Sequence, residues 1–516
     1  MENKELSFKK NTLFSDIAAQ SSCDYTLPDY KTDVRKVLYT TASVMPSSSF
    51  IDSAEICASG IVNYSVIYLD TENKMCGAEF TSDYDFSVKC SDGSEDFFVD
   101  TALASFSVRL VGPRKFSAKS TLISSVDTLG TELISERGDA FSEGVERDIK
   151  QVSVMKRQRF SSSERTLAEK IADFDGIIAD DVRVIYSSAK VKPQSVAYSD
   201  GGIDIKGTVE VLCLAECASS LPERYTCSLP FDERIDAAEL SEDAYLIADG
   251  AVSSLRVSVN PAEFGCNMTA DVIAELFVTA TDTSDLTLTA DAYSTKGETA
   301  AELSEISFDS FVSSISDTSH AQTTVEREAL GLSEAREIVF TDAKIKTDSI
   351  SVNNGELVFD GELHFLGIAS EPQDDGSMSY VNFKHSFPFY KNIKLKQDIS
   401  DTVAVSCRAE VSEANALFDK DSTELCASVE LTLVLSEKKR ESYVSSLEFS
   451  EGEREENRPS RITVYYPSKG DTLFGIAKKF RTTARAVAAD NSLTESVASR
   501  PSDTSVLGGV RKLIIR

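Results

Sequence analysis

The chain has 516 residues, 41% of them hydrophobic, which is too long for one domain of roughly 150 residues and apolar enough to fill several cores. Acidic residues outnumber basic ones 84 to 53, for a net charge of -31, which argues against a nucleic-acid binder or a polybasic membrane anchor. Three histidines, His320, His364 and His385, are too few for a histidine-rich metal site.

The N-terminal stretch MENKELSFKKNTLF is charged and amphipathic, with no apolar core before a small-residue cleavage site, so it does not read as a secretory signal. No stretch supplies the ~18–20 uncharged apolar residues of a membrane span, and direct membrane insertion is not expected. The expectation is a cytosolic protein whose residues 1–22 form a tail or leader. In that compartment the ten cysteines, Cys23, Cys57, Cys76, Cys90, Cys213, Cys217, Cys227, Cys266, Cys407 and Cys426, read as small buried hydrophobes.

The chain then repeats itself. Val37-Leu38-Tyr39 recurs as Val184-Ile185-Tyr186 and as Ile338-Val339-Phe340. Ser43-Val44-Met45-Pro46 corresponds to Lys190-Val191-Lys192-Pro193 and to Lys344-Ile345-Lys346-Thr347, at offsets of 147 and 154 residues. Gly60, Gly207 and Gly361 fall in the same register. Two and four residues to either side stand Ile56, Ala58, Val62 and Tyr64, then Ile203, Ile205, Val209 and Val211, then Leu357, Phe359, Leu363 and Phe365. Apolar residues at a spacing of two put one strand face against a core, and a mid-strand glycine signals a bulge, a bend or a close backbone approach.

Each unit has a second half built on further strands: Ser107–Lys115 leading into another strand, Leu255–Val259, and Val403–Cys407 followed by Val429, Leu431, Leu433 and Leu435. Short strands and polar turns predict a mainly β chain of three tandem β-sandwich-like repeats, over 23–135, 166–300 and 323–445. Residues 136–165 read as a partly helical linker and 301–322 as a second linker. Ser163–Ile171 and Thr324–Leu330 suit either a short helix or a leader strand into the next unit.

Glu448–Ser460 is charged and apolar-poor, and 446–460 reads as a solvated linker. The charge then reverses: from Arg461 to Arg516 ten Lys and Arg face four Asp and Glu, a net of +6, leaving -37 on the rest. A basic module on an acidic body predicts different partners for the two parts. Ile462–Tyr466 reads as a strand, Lys469-Gly470-Asp471-Thr472-Leu473 as a turn and helix cap, and Leu473, Ile476, Ala477 and Phe480 as one helix face. A second helix opens at Thr483 and ends near Asn491, and Gly508-Gly509 turns into a last strand, Lys512–Ile515. The expectation for 461–516 is a small α+β (βααβ) domain.

This order of strand, Gly-Asp-Thr-Leu-aromatic, two helices, Asn, glycine turn and Lys-Leu-Ile-Ile strand resembles a LysM domain. The resemblance implies binding of N-acetylglucosamine polymers such as peptidoglycan, or of protein, between the loops Lys469–Leu473 and Asn491–Gly509. The second loop is longer than is usual there, and Gly508-Gly509 replaces Pro-Gly. Upstream, Asp24–Leu38 and Val108–Phe116 resemble segments of the SPOCS domain, with Thr32 where proline is frequent. SPOCS units followed by LysM are similar to the SipL/SpoVID-like spore-coat morphogenetic proteins of endospore-forming Firmicutes. That resemblance implies a mother-cell scaffold at the forespore surface whose LysM domain meets a SpoIVA-like coat morphogenetic ATPase and whose SPOCS units engage other coat proteins.

The residues singled out for the binding surface are Ile462, Lys469, Gly470, Asp471, Thr472, Leu473, Phe474 and Asn491. Each also has a structural role available: Gly470, Asp471 and Thr472 as turn and cap, Phe474 and Ile462 as core, Asn491 as a helix terminator. Cys213 and Cys217, four apart on a strand, could suggest a metal pair, but without Cys-x-x-Cys or a following histidine they read as core. No nucleophile elbow or phosphate loop is present, so no catalytic residue, metal or cofactor is expected. The competing expectations are a glycan-binding envelope protein and a wall hydrolase targeted by LysM.

Overall fold

The protein is described by a computed structural model covering residues 4–516 apart from 53, 91–93, 139–143, 218–219, 239, 375–376, 396–398, 400–401, 451–461, 495–499 and 508–509. The chain is mainly β, and its strands fall into three modules built on one plan. In the first, β1 (Lys4–Thr26) enters, then β2 (Val34–Asp52), β3 (Glu55–Asp70) and β4 (Met75–Lys89) form a meander sheet. The hairpin of β5 (Ser94–Gly112) and β6 (Lys115–Gly138) pairs with β1 in the order β1-β6-β5 and faces that meander. In the second, β7 (Val145–Ser161) and β8 (Arg165–Asp175) share the entering role. The meander is β9 (Val182–Ser199), β10 (Gly202–Cys217) and β11 (Glu223–Asp236), and the hairpin is β12 (Tyr245–Ala262) and β13 (Gly265–Ser294). In the third, β14 (Glu298–Glu326) enters, β15 (Glu337–Asn353), β16 (Glu356–Pro372) and β17 (Met378–Lys394) form the meander, and β18 (Ala404–Asp419) and β19 (Ser422–Ser450) the hairpin.

The twelve apolar residues flanking Gly60, Gly207 and Gly361 all point inward, and none is more than 7% exposed. Val62 and Tyr64, and all four such residues in each of the other two modules, pack with the hairpin strand of their own module: Phe116, Ala118 and Leu122, then Ala270, Val272 and Leu276, then Val429, Leu431 and Leu433. Each Val, Leu, Ile or Phe among them contributes roughly 1.5–3 kcal/mol on burial, so the module cores dominate the favourable side of folding.

The three glycines are explained by both a bulge and a close approach. Gly60 pairs with Pro46, Gly207 with Pro193 and Gly361 with Thr347, and in each ladder the register slips by one residue beside that pair. A Cβ on Gly60 would lie 2.5 Å from the Met45 carbonyl oxygen, and on Gly361 2.6 Å from that of Lys346. Across the other ladder stands an aromatic residue, Tyr84, Phe231 or Phe389, and Tyr84 and Phe231 fill the space left by the missing side chain. Gly60→Ala is therefore expected to destabilise by about 1–3 kcal/mol through overpacking. The measurement is a lower urea midpoint at unchanged slope; an unchanged midpoint would show that Met45 and Tyr84 give way freely.

A second bulge recurs at Leu38, Ile185 and Val339, the middle residues of the repeated triplets. It turns these residues out of their own sandwiches and into a core shared by all three modules, with Tyr39, Tyr186, Phe340, Ile67, Leu214 and Ile368. The three rings touch pairwise, at 5.9 Å for Tyr39–Tyr186, 4.9 Å for Tyr39–Phe340 and 5.4 Å for Tyr186–Phe340, all edge-to-face. Around this hub β4 lies against β9, β11 against β15, and β17 against β2, so the meanders close into a ring.

The entering and closing strands run past their sandwiches as antiparallel ribbons. Phe8 and Ile134 from one, Val152, Val154, Leu286 and Leu288 from the next, and Ile306, Phe308 and Tyr443 from the third form a second shared core. β6 and β19 also pair in parallel at Ser446↔Arg137 and Leu447↔Gly138.

These ribbons correct the expected tail and linkers. Residues 4–22 are not a tail, because β1 is hydrogen-bonded to β6 along its length and its lysines find partners such as Glu132, 2.6 Å from Lys10. The described part of 136–165 is mostly strand, with Val145–Ser161 forming β7, rather than partly helical, and 301–322 lies inside β14. Ser163–Ile171, the open case of helix or leader strand, is strand from Arg165 onward, as part of β8 in the sheet of β13. Of the expected charged linker, Ser446–Ser450 extends β19, and 451–460 lies outside the described residues.

The C-terminal stretch carries β20 (Thr463–Tyr465), α1 (Leu473–Phe480), α2 (Ala484–Asp490), a 3-10 turn (Thr504–Leu507) and β21 (Leu513–Ile515), and β20 pairs with β21. The expected self-contained βααβ domain is not what forms. A 3-10 turn separates α2 from β21, and the core of Leu473, Phe474, Ile476, Val487, Leu513 and Ile515 is completed by Tyr293 from β13 of the body.

Candidate interaction surface

The turn before α1 is organised by its polar residues. The Asp471 carboxylate accepts from Ser468 N at 2.8 Å and from Tyr465 Oη at 2.9 Å. Those two bonds, the backbone one first, hold its carboxyl below the usual range. Thr472 Oγ1 accepts from Gly475 N at 2.9 Å and caps the helix, and Thr483 does the same for α2 through Ala486 N at 3.0 Å. Gly470 has φ of 100°, a conformation that disfavours any side chain. Phe474 N donates to Pro501 O at 2.8 Å, which brings the second loop across the start of α1.

The structure separates the selected residues into two groups. Lys469 and Gly470 are exposed, Asp471 and Thr472 half-buried beside them, and Ile462 stands 63% exposed just ahead of β20. Leu473 is fully buried core. Phe474 is 4% exposed and covered by the body, its ring 5.1 Å from that of Tyr293. Asn491 is a clamp on the last strand: its Nδ2 donates to Val487 O and Ile514 O, and its Oδ1 accepts from Ile514 N at 2.6 Å.

One surface feature extends beyond the selected set. Val464 and Tyr466 follow Ile462 at a spacing of two, at 48% and 69% exposure, so β20 and its flanks present an apolar row to solvent. Lys479 lies over the Tyr465 ring, 5.0 Å from its centroid. The alternation that marks β20 as a strand was the signal for this row; it does not say which of the two faces is the wet one.

Other candidate chemistry is weak by geometry. His364 Nδ1 is 2.7 Å from Ser386 Oγ and its Nε2 3.3 Å from Glu362, the order of a nucleophilic triad. All three lie on the outer face of the third meander. The backbone of β16 is paired to β15 on one side and to β17 on the other, leaving no free amides on β16 to hold an oxyanion. His320 bonds Ser428 at 2.9 Å on a different sheet. Cys213 is buried with its sulfur 3.6 Å from that of Met268, and burial pushes its thiol up to about 12, the wrong direction for a metal ligand or nucleophile. A cleft of about 190 Å³ between the second and third modules, bordered by Pro193, Ser195, Tyr245, Ser316 and Thr432, has no acidic, basic or thiol side chain in its lining.

No helix among the described residues is long and apolar enough to cross a membrane. Comparison with protein-family models, curated proteins and solved structures finds no match for this chain.

Proposed function

We infer that the chain is a non-enzymatic spore-coat morphogenetic scaffold. Its C-terminal unit, LysM-like in sequence, recruits it to a SpoIVA-like coat ATPase at the forespore surface, and its three β modules hold further coat proteins. The reading is carried by the apolar row Ile462, Val464 and Tyr466 on a unit of net charge +6 attached to a body of opposite sign. Exposed apolar residues rimmed by charge suit a protein partner. The sequence resemblance of the modules to SPOCS units supports the setting, and three like modules on one chain suit multivalent assembly, in which modest contacts gain from avidity on a polymerised surface.

The test immobilises the full chain and captures partners from a lysate of sporulating cells, with and without added peptidoglycan. Retention of the coat ATPase, unaffected by peptidoglycan and reduced at least about tenfold by Val464→Asp, is the expected result. Retention of peptidoglycan without coat protein would replace this reading with a glycan-binding envelope protein acting through the Lys469–Leu473 loop.

A further inference from the structure

The C-terminal unit does not merely sit beside the body; the body fills one of its faces. Phe474, Lys478 and Arg481 recur at steps of four and three, so they share one side of α1 and its end. Each is engaged by the body within a stretch of eight residues. The Tyr293 ring packs edge-on against Phe474, and its hydroxyl donates to Thr482 O at 2.7 Å. Lys478 Nζ bonds both oxygens of Asp291, at 2.7 and 2.5 Å. Arg481 lies 3.2 Å from Glu298. Tyr293 belongs to the buried core of the C-terminal unit although it lies on β13, and burial raises its phenol well above the ordinary value. The opposed charges of unit and body, expected to direct them to separate partners, here meet each other.

We propose that this face of α1 is a recognition surface for an acidic protein segment carrying an aromatic anchor, and that Asp291, Tyr293 and Glu298 occupy it in cis as an internal ligand. The proposal rests on the partner-binding role given to this unit above and adds the chemistry of the segment recognised. The aromatic supplies the buried contact and the carboxylates supply register and approach. While the internal segment is in place, an external one binds only the open fraction of molecules, so its apparent affinity falls by that fraction.

The experiment uses the full chain and two readouts. Carbodiimide, which joins an amine to a carboxylate only in direct contact, is expected to link Lys478 to Asp291, identified by mass spectrometry after digestion. Absence of that link overturns the internal docking. The second readout is binding of a synthetic peptide of residues 286–300, which carries Asp291, Tyr293 and Glu298. Asp291→Lys opens the contact from the body side at a partly exposed position, so the fold is retained. The peptide is expected to bind Asp291→Lys at least about tenfold more tightly than the unaltered chain. Adding Lys478→Glu or Phe474→Ala to that variant is expected to abolish the gain. Equal peptide binding by both chains, with the cross-link present, would overturn the recognition surface while leaving the docking. Loss of coat-ATPase capture would count against the functional reading alone, because neither readout uses that partner.

Discussion

Tyr39→Ala is expected to destabilise the protein by about 3–5 kcal/mol, the range for truncating a buried aromatic. Tyr39 is buried where three modules meet, and its ring touches both Tyr186 and Phe340. Its hydroxyl donates to Asp342 Oδ2 at 2.7 Å, a bond from the first module to the third. Removing the ring opens a cavity that no single module can close by local collapse, because its walls come from three separate sheets. Tyr39→Phe keeps the ring and leaves Asp342 without its donor, for an expected loss of about 1–2 kcal/mol. Chemical denaturation followed by circular dichroism separates the two variants. If Tyr39→Ala unfolds at the same midpoint as the parent, the modules are stable independently and the hub is only a contact. Burial pushes the Tyr186 phenol up to about 12, with the nearby Asp342 charge adding to the rise and the hydroxyl hydrogen bonds offsetting only part of it, so Tyr186 stays neutral through the ordinary pH range.

The second large effect is at Asp127, on β6, whose side chain is 2% exposed. Its carboxylate lies 2.7 Å from an Arg157 guanidinium nitrogen on β7 and accepts from Asn11 Nδ2 at 2.8 Å. Asn11 is itself fixed to the β7 backbone through Arg157 N at 2.7 Å and Arg157 O at 2.9 Å. The cluster thus ties the first module to the second. Asp127→Ala leaves the Arg157 charge, whose side chain is only 20% exposed, without this partner, and the expected loss is about 3–5 kcal/mol.

Desolvation pushes the Asp127 carboxyl up to about 6, and the attraction of Arg157 offsets only part of that rise. The folded value stands above the unfolded value of 3.8, so the native state holds the proton more tightly. The associated stability is fully present below about pH 4 and is lost as pH rises through about 6, for a total of roughly 3 kcal/mol. Asp127→Asn removes this titration. The difference in unfolding free energy between parent and Asp127→Asn is therefore expected to change across pH 4–6 and to be flat above 7. A difference that is flat from pH 4 to 7 would show that Asp127 is ionised throughout.

The repeat was legible because each module uses the same solution to the same local problem. Gly60, Gly207 and Gly361 need a missing side chain where a bulged neighbour comes close, and the apolar residues around them need a period of two. Both requirements are local and leave a mark in one strand. That residues 4–22 form a strand is hidden in the sequence because their charges dominate a composition-based reading, while Phe8 and Ala19, which bind that strand to the rest, are sparse along it. The strands Val145–Ser161 and Glu298–Glu326, which replace the expected linkers, are hidden for a similar reason: their partners lie more than a hundred residues away.

At the C-terminal unit, caps and helix phase were legible, since Thr472 and Thr483 act on amides three residues ahead. The part of the surface that is free was not. Phe474 reads equally as core or as contact, and the aromatic that covers it, Tyr293, is 181 residues upstream.

The amino-acid sequence by itself determined the triplicate strand plan, the inward faces of the module cores and the charge opposition between body and C-terminal unit, because each is written within one element or one count of residues. Only the tertiary structure decided that Leu38, Ile185 and Val339 leave their own sandwiches to build a common hub, that the ribbons meet in a second one, and that Tyr293 completes the core of the last unit. Those are contacts between surfaces that each module presents outward. Their complementarity depends on how three sheets close into a ring, and no local periodicity encodes it.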